Sequence, residues 1–387
     1  MSGCSLTESI GLNRIEPKEK EQIEIIDKEL TNKLQGRWYY DHLDDEEKSL
    51  YNQLYHSLSA WEEVIEFDGV SSSKLVKAFE ALQLERPELY YVGPQYEFMY
   101  YNNNKEEIYS LTPKYTITES EYKSQMKQIE EIATNIEDNI DSKGLGEYQA
   151  ELFVHDYLVE RVEYYTDDTD TNGFEPFRTI YGALVDRKAN CMGYARAMTY
   201  LMNRLGIECV SVTGSAQSSD GEYGLHEWNA IKIKDNWYQL DVCWDDPSYM
   251  VQGGEMQEDG DNEHIRHTYF NLTDKEMAKT HTLDGKMGEL PECESETDNY
   301  YVANGYLMES VDEYQEYMNE HFNDMMSTGI TTEVRFANNS DYQIAVRNIG
   351  DILDTSAQRN GYYGAYMYQG TPDNRSNIIS CRLEPRE

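Results

Sequence analysis

Residues 189–195 read A-N-C-M-G-Y-A and predict the start of an amphipathic helix. Asn190 is a candidate N-cap, because its side chain accepts the first free amides of a helix. Cys191 then lies in the first turn, where the partial positive charge of the helix end favours the thiolate over the thiol. Backbone amides at the same helix start are suited to stabilise an oxyanion. The buried stripe of this helix is predicted to be Ala195, Met198, Met202 and Leu205.

A base for this thiolate lies in the run L-H-E-W-N-A-I-K-I, residues 225–233. Its alternation predicts a strand that begins at His226. Imidazole is the side chain that exchanges a proton most readily near neutral pH. We therefore expect His226 to activate Cys191.

The strand register leaves open which acid orients His226. The run W-Y-Q-L-D-V-C-W, residues 237–244, predicts a second strand in which Asp241 stands among apolar neighbours, where a carboxylate must be paired. With a turn at residues 235 and 236, Asp241 comes four positions from the histidine along the strand, roughly 13 Å away. The same register places Asp245 directly across from His226, so both aspartates fit at this point.

The three motifs together resemble the core of the bacterial transglutaminase-like superfamily, whose catalytic order is cysteine, histidine, aspartate. The resemblance covers about residues 147–275. It implies an α+β, papain-like fold in which the helix bearing Cys191 packs on an antiparallel sheet bearing His226 and the acid. It also places the catalytic aspartate at Asp241, the residue that opens the D-x-x-W-D-D-P block.

The function implied by this resemblance is thiol-dependent acyl transfer on protein or peptide amides through a cysteine acyl-enzyme. Such an enzyme is a cysteine peptidase, an amidase or a crosslinking acyltransferase, and the sequence does not distinguish release by water from release by an amine. The alternative is a catalytically silent surface module that binds peptide or cell-wall glycan. Activation of the cysteine distinguishes the two.

Aromatic residues near the motifs are candidates for lining a substrate groove. Trp228 and Trp244 are predicted to wall the groove, and Tyr194 and Tyr181 are further candidates for substrate binding.

No metal or cofactor is expected. His264, His267 and His281 stand among acidic residues, so we interpret them as part of a solvated connector. The acidic runs at 167–170 and 258–261 lack the ligand spacing of a calcium loop and are interpreted as loops.

Charge limits the partners. Lys and Arg number 33 against 73 Asp and Glu, which gives a formal net charge of −40. Such a surface repels nucleic acid and anionic lipid. The 39% of apolar residues suffices for a core, and no run approaches a membrane span of 18 or more apolar residues.

The first residues suggest a location. Ser2-Gly3-Cys4 resembles the end of a bacterial lipoprotein signal, whose cysteine carries the lipid after cleavage. We therefore expect an extracellular, cell-surface lipoprotein that meets the membrane only through a lipidated Cys4. Its partners would be protein or peptide substrates, with cell-wall peptide as one candidate.

The chain is predicted to contain a tail and three domains. Residues 1–40 are a polar tail, 41–143 a helical and hairpin domain, 144–290 the catalytic domain and 291–387 a small α+β domain. The last is expected to run strand, helix, strand, helix, strand, beginning with a strand at 300–308.

Overall fold

The computed structural model describes residues 37–101, 104–166, 175–217, 221–246 and 265–386. Cys4, His264 and the two acidic runs lie outside these ranges, so the expectations for them stay predictions. Among the described helices, none combines the length and the hydrophobicity that a bilayer crossing requires.

Three helices and a three-stranded antiparallel sheet precede residue 116. They are α1 (Trp38–Asp41), α2 (Asp45–Ser59), β1 (Ile65–Ser71), α3 (Ser72–Glu85), β2 (Val92–Tyr101) and β3 (Asn104–Tyr115). β3 is the central strand, and β1 has no counterpart among the predicted elements. Asp44 caps α2 by accepting the amides of Glu46 and Glu47. Leu50, Leu54 and Leu58 lie on one face of α2 and are buried.

Two helices then lead toward the centre of the chain. They are α4 (Glu119–Lys143) and α5 (Glu147–Arg161). Gly144 ends α4 with φ of 62°, a left-handed conformation that glycine adopts without steric cost. After α5, β4 (Glu163–Tyr164) pairs in parallel with β5 (Lys188–Ala189), which directly precedes the cysteine helix.

The central layer is a helix on a four-stranded antiparallel sheet. Its elements are α6 (Cys191–Arg204), β6 (Cys209–Gln217), β7 (Tyr223–Ile233), β8 (Asn236–Leu240), α7 (Val242–Asp245), α8 (Asp274–Met277) and β9 (His281–Leu283). The strand order is β8-β7-β6-β9, and α6 contacts β6 and β7. The predicted α+β class, with the cysteine helix packed on an antiparallel sheet, is confirmed.

The β7–β8 hairpin corrects the predicted register. Ile233 pairs with Asn236, so the turn residues are Lys234 and Asp235, one position earlier than predicted. Lys234 has φ of 56°, which such a tight turn requires. β8 ends at Leu240, and the four residues of α7 are helical, so the strand predicted beyond residue 240 is wrong.

The last region is a four-stranded sheet with two long helices. Its elements are α9 (Tyr300–Ala303), β10 (Leu307–Met308), α10 (Val311–Thr328), β11 (Thr331–Phe336), α11 (Asn339–Arg359), β12 (Tyr366–Asp373) and β13 (Ile378–Pro385). The predicted strand at 300–308 is wrong in its first part, because α9 occupies it. The exposed edge strand β12 was not predicted, since its outward residues lack an apolar alternation.

Buried apolar side chains form three clusters that locate the site. One lies beneath α6, the second joins α2 and α3 to the sheet through Val210, Val212 and Trp228, and the third belongs to the last region. The central sheet is therefore covered by apolar contacts on both sides. All described residues belong to one compact unit, and the predicted domain boundaries stay predictions.

Candidate active site

Cys191 is the first residue of α6 and is partly exposed. The Oδ1 atom of Asn190 accepts the amides of Met192 at 3.1 Å and Gly193 at 3.4 Å. The predicted helix start and N-cap are therefore confirmed. Since the cap does not use the Cys191 amide, that amide is a candidate donor to an oxyanion formed beside the thiol.

Gly193 allows this helix start to lie against the preceding turn. A Cβ atom on Gly193 would stand 2.5 Å from the carbonyl oxygen of Phe177 and 2.7 Å from Cβ of Ala189. The Asn190 amide donates to the same Phe177 oxygen at 3.0 Å. This backbone approach fixes the position of Cys191, and a larger residue than glycine would disturb it.

His226 lies on β7 opposite Gly214 of β6 and is 8% exposed. Its Nε2 atom lies 2.6 Å from Oδ2 of Asp241. An ionised carboxylate only accepts hydrogen bonds, so Nε2 carries a proton and Nδ1 is the nitrogen left to act as a base. The imidazole also has a hydrogen bond with Cys191. The cysteine, histidine and aspartate predicted from the sequence thus form one chain of contacts.

The charges of Cys191, His226 and Asp241 stabilise one another. Burial alone would lower the pKa of His226, but the charges of Asp241 and Cys191 and the hydrogen bonds with both raise it to about 10. Burial would raise the pKa of Asp241, but His226 and His281 hold the pKa of this carboxyl well below its usual range. The site therefore favours an imidazolium beside a carboxylate.

Asp241 reaches His226 because of the corrected register. Continuing the pairing of Asn229 with Leu240 by one residue would place position 241 opposite position 228, two residues from the histidine. Such a diagonal is about 7 Å, which side chains can span. Asp241 also caps α7, since its Oδ1 accepts the Trp244 amide at 3.2 Å.

Asp245, the alternative acid, faces elsewhere. Its Oδ2 lies 3.2 Å from Nε2 of His155, and its carboxylate accepts the Tyr269 amide at 2.9 Å. The expected position directly across from His226 is therefore wrong. The reason is physical: the chain leaves the sheet at residue 241 and turns into α7.

A second imidazole bonds to the catalytic carboxylate. His281, the first residue of β9, places Nε2 3.0 Å from Oδ2 of Asp241 and Nδ1 2.8 Å from Oγ1 of Thr280. It is only 4% exposed, so its assignment to a solvated connector was wrong. No local pattern predicts this contact, because β9 has three residues and pairs with β6, far earlier in the chain.

Two of the four aromatic residues expected in a substrate groove belong to the core. Trp228 is 1% exposed and donates Nε1–H to Oε1 of Gln239 at 2.7 Å. Tyr194 is 0% exposed, and its hydroxyl bonds to Asp246. Because neither side chain is accessible to solvent, neither fits the predicted substrate-binding role.

The other two aromatic residues expected in the groove are Trp244 and Tyr181. Trp244 is also buried, but its ring centroid lies 5.6 Å from that of His226, so it forms the wall behind the imidazole. Tyr181 is partly buried against the core beneath α6. A substrate role for both stays a prediction.

A cavity of about 240 Å³ borders α6 and β7, and its lining does not include Cys191, His226 or Asp241. Its walls include Met192 and Glu227, the residues that follow the cysteine and the histidine in the chain. Glu227 is buried and accepts two bonds from Arg196 of α6, Nε to Oε1 at 3.1 Å and Nη2 to Oε2 at 3.3 Å. This bidentate pair ties α6 to β7 one residue from His226.

A second buried network holds α7 from behind. His155 bonds to Asp156 at 2.9 Å and to Asp245 at 3.2 Å, and His267 bonds to the same Asp156 oxygen at 2.9 Å. Burial lowers the pKa of His155, but the two aspartates outweigh it and raise the pKa to about 9. His267 is 5% exposed, so its assignment to a solvated connector was also wrong. The network anchors the helix that Asp241 caps.

In each of the two networks, three potential metal-ligand atoms lie within 4.8 Å of one another. The groups are His226, Asp241 and His281, and His155, Asp156 and His267. In each, hydrogen bonds to one shared carboxylate account for the imidazole nitrogens that face it. These contacts explain the geometry without a metal, and we assign neither group to a cofactor.

The other described cysteines lie apart from solvent. Cys209, Cys243, Cys293 and Cys381 are buried free thiols, and burial raises the pKa of each. Cys191 is therefore the one partly exposed thiol in the part of the chain that the structure describes.

The fold and the contact chain define a cysteine site of the transglutaminase-like kind. Residues 134–242 match the family model described as the transglutaminase-like superfamily. The chain therefore contains a domain of this superfamily, and the resemblance carried by the three motifs is confirmed. The match begins earlier and ends sooner than the predicted extent of 147–275.

Two curated proteins match part of the chain. Kyphoscoliosis peptidase of Mus musculus is 28% identical over 96 residues, and that of Homo sapiens is 27% identical over 99 residues. Each match spans 23% of this chain and only 14% of the relative. The alignment with a solved structure described as a TGase covers 44% of this chain and 47% of the chain in that structure, at 16% identity and a TM-score of 0.27.

Proposed function

We propose that this chain catalyses thiol-dependent acyl transfer on protein or peptide amides through a Cys191 acyl-enzyme. The observation that carries the proposal is the contact chain from Cys191 at a helix start to His226 and on to Asp241. Nucleophile, base and orienting acid are the three roles that a catalytic triad supplies for this chemistry.

The steps follow from the positions of the protons. Sγ of Cys191 attacks the amide carbon while its proton resides on Nδ1 of His226. The carbonyl oxygen becomes an oxyanion, toward which the Cys191 amide can donate. The imidazolium then gives its proton to the departing nitrogen, the C–N bond breaks, and a thioester remains. Water or an amine then attacks the thioester carbon while His226 accepts its proton. The C–S bond breaks, the product leaves, and Cys191 is returned as a thiolate beside the imidazolium.

The substrate class rests on two supports. A thiolate paired with an imidazolium suits carboxamides, and the curated relatives bear the name peptidase. Since the match spans a small part of those relatives, peptide hydrolysis and amine transfer are both within the proposal. Surface anchoring through Cys4 and cell-wall peptide as a substrate stay separate predictions.

Trapping the intermediate tests the proposal. A pool of peptides with side-chain and terminal amides is mixed with the full chain, quenched in acid and analysed by intact mass. A thioester adduct that maps to Cys191, and that hydroxylamine releases as a hydroxamate, is expected. The matched control is Cys209→Ala, which removes a buried thiol and should keep the adduct. Equal adduct formation in Cys191→Ala would rule out the assignment.

A further inference from the structure

We propose that His281 is a positioning residue for Asp241, and that its hydrogen bond sets how tightly the carboxylate holds a proton on His226. The inference rests on the proposed function, because it concerns the same acid. Its basis is a shared atom: Oδ2 of Asp241 lies 2.6 Å from Nε2 of His226 and 3.0 Å from Nε2 of His281.

The carboxylate fixes the proton positions on both rings. Since it accepts only, each Nε2 carries a proton. The Nδ1 atom of His281 lies 2.8 Å from Oγ1 of Thr280, a hydroxyl that also lies 3.5 Å from the Met277 carbonyl oxygen. Both nitrogens of the His281 ring therefore have hydrogen-bond partners.

The two rings carry different charges. His226 has Asp241 and Cys191 as partners, which favour its imidazolium. Burial lowers the pKa of His281, and the charge on His226 lowers it further against the opposing effect of Asp241. One carboxylate thus faces one cation and one neutral donor.

The position of His281 makes it unsuited to touch a substrate. It is 4% exposed, and its ring centroid lies 4.6 Å from that of Trp244 and 5.0 Å from that of Trp228. Its effect must therefore pass through Asp241. Burial of this kind is costly for an imidazole unless its nitrogens are used, as they are here.

Three other titratable groups face the pair, and two of them stay protonated over the pH range of the test. Cys191 approaches from α6, Cys243 lies on α7, and Tyr269 packs on His281 at 5.7 Å between ring centroids. Burial raises the pKa of Cys243 and of Tyr269 well above neutral, so both stay protonated between pH 5 and 9. Asp245 and Asp373 act on Tyr269 from further away.

Removing the His281 donor should concentrate the carboxylate charge on His226. The imidazolium is then held more tightly, and the thiolate beside it forms at lower pH. We expect the acid-side midpoint of Cys191 alkylation to move down by about 0.5 pH unit or more, since hydrogen bonds to a charged form shift titrations on this scale. Turnover should fall, because a tightly held proton is given up slowly to the leaving nitrogen.

The test compares variants that differ in the donor. His281→Gln keeps an N–H near the Nε2 position, whereas His281→Met and His281→Phe fill the space without a donor. The alkylation rate of Cys191 is followed from pH 4 to 9 by peptide mapping. A downward shift in His281→Met or His281→Phe, with the native midpoint in His281→Gln, supports the proposal. Unchanged midpoints with only a lower Tm, or an upward shift, would overturn it.

Two measurements keep the outcome decisive. Histidine 15N NMR of the unaltered chain at pH 8 should show His281 as the neutral Nε2–H tautomer. The Nδ1–H tautomer or a cation at that pH would overturn the proposal even if the variants do not fold. The proposed function is tested separately by His226→Ala. If His226→Ala leaves the native profile unchanged, the acyl-transfer proposal fails regardless of His281.

Discussion

Oδ2 of Asp241 and Nε2 of His226 lie 2.6 Å apart, although Asp241 follows the last residue of β8 and is not a strand partner of His226. The contact forms because β8 ends at Leu240 and the next residue caps α7. The carboxylate is thereby held on both sides, by a helix amide and by an imidazole. Its charge is expected to control how the histidine holds its proton.

The first prediction concerns this charge. Asp241→Asn keeps the size of the side chain but removes the charge that raises the pKa of His226. The alkylation rate of Cys191 at pH 6 should fall by about 10- to 100-fold, because the imidazolium of His226 that stabilises the thiolate is weakened when the carboxylate charge is lost. Stopped-flow alkylation with peptide mapping measures it.

Asp245→Asn is the matched control, because Asp245 bonds to His155 and not to His226. Its alkylation rate should stay within about threefold of native, while Tm falls through the loss of a buried partner. A larger loss of reactivity in Asp245→Asn than in Asp241→Asn would contradict the assignment of the acid.

The second prediction concerns the glycine after the cysteine turn. In Gly193→Ala the new methyl would overlap the Phe177 carbonyl oxygen, 2.5 Å away, so the helix start must shift. A free energy of unfolding lower by about 1–3 kcal/mol is expected from such overpacking, together with slower alkylation. Gly224→Ala serves as control, since no atom lies within 4 Å of its added Cβ. Urea unfolding of both variants measures the difference. Equal urea midpoints for Gly193→Ala and Gly224→Ala would contradict the steric explanation.

The third prediction concerns the ion pair beside the cavity. Arg196→Met leaves the carboxylate of Glu227, which is 4% exposed, without its bidentate partner. A loss of about 3–5 kcal/mol is expected for an uncompensated buried charge. Arg359→Met breaks a pair with Glu316 in which both side chains are 59% exposed, so the unfolding free energy of this control should stay close to native. Similar losses in both variants would show that Glu227 is solvated.

The fourth prediction concerns stability at alkaline pH. The pKa of His226 is raised to about 10 in the folded chain from about 6.5 in the unfolded chain. Its contribution is therefore fully present below pH 6.5 and is lost as the pH rises toward 10. The difference in unfolding free energy between native and His226→Gln should shrink over this window by on the order of 1–3 kcal/mol.

Denaturant unfolding at a series of pH values in the presence of a reductant measures this difference. His321→Gln is the control, since Nδ1 of His321 bonds to the carbonyl of Tyr317 and not to a carboxylate. Its difference from native should stay constant with pH. A constant difference in His226→Gln as well would show that the histidine has no charged partner.

Sequence patterns predict the parts of the site that depend on local structure. Asn190 and the apolar stripe that follows it predict a capped helix with Cys191 at its start. The alternation of apolar and polar residues after His226 predicts β7. Capping and periodicity are properties of neighbouring residues, so they can be read without the fold.

The remaining parts depend on distant segments. The position of Asp241 required knowledge of a turn that began one residue early and of a strand that ended at Leu240. His281 reaches the carboxylate from β9, a strand too short to show alternation. Burial of Tyr194 and Trp228 follows from layers packed above and below the sheet, which no local pattern reveals.

The pH dependence of Cys191 alkylation, in the native chain and in His226→Ala, tests the central claim most directly. We predict that the native thiol is alkylated readily at pH 6, because the charges of Cys191 and His226 support each other, and that His226→Ala loses most of this reactivity. Matching pH profiles in the two proteins would contradict the claim and leave the domain as a scaffold without an activated nucleophile.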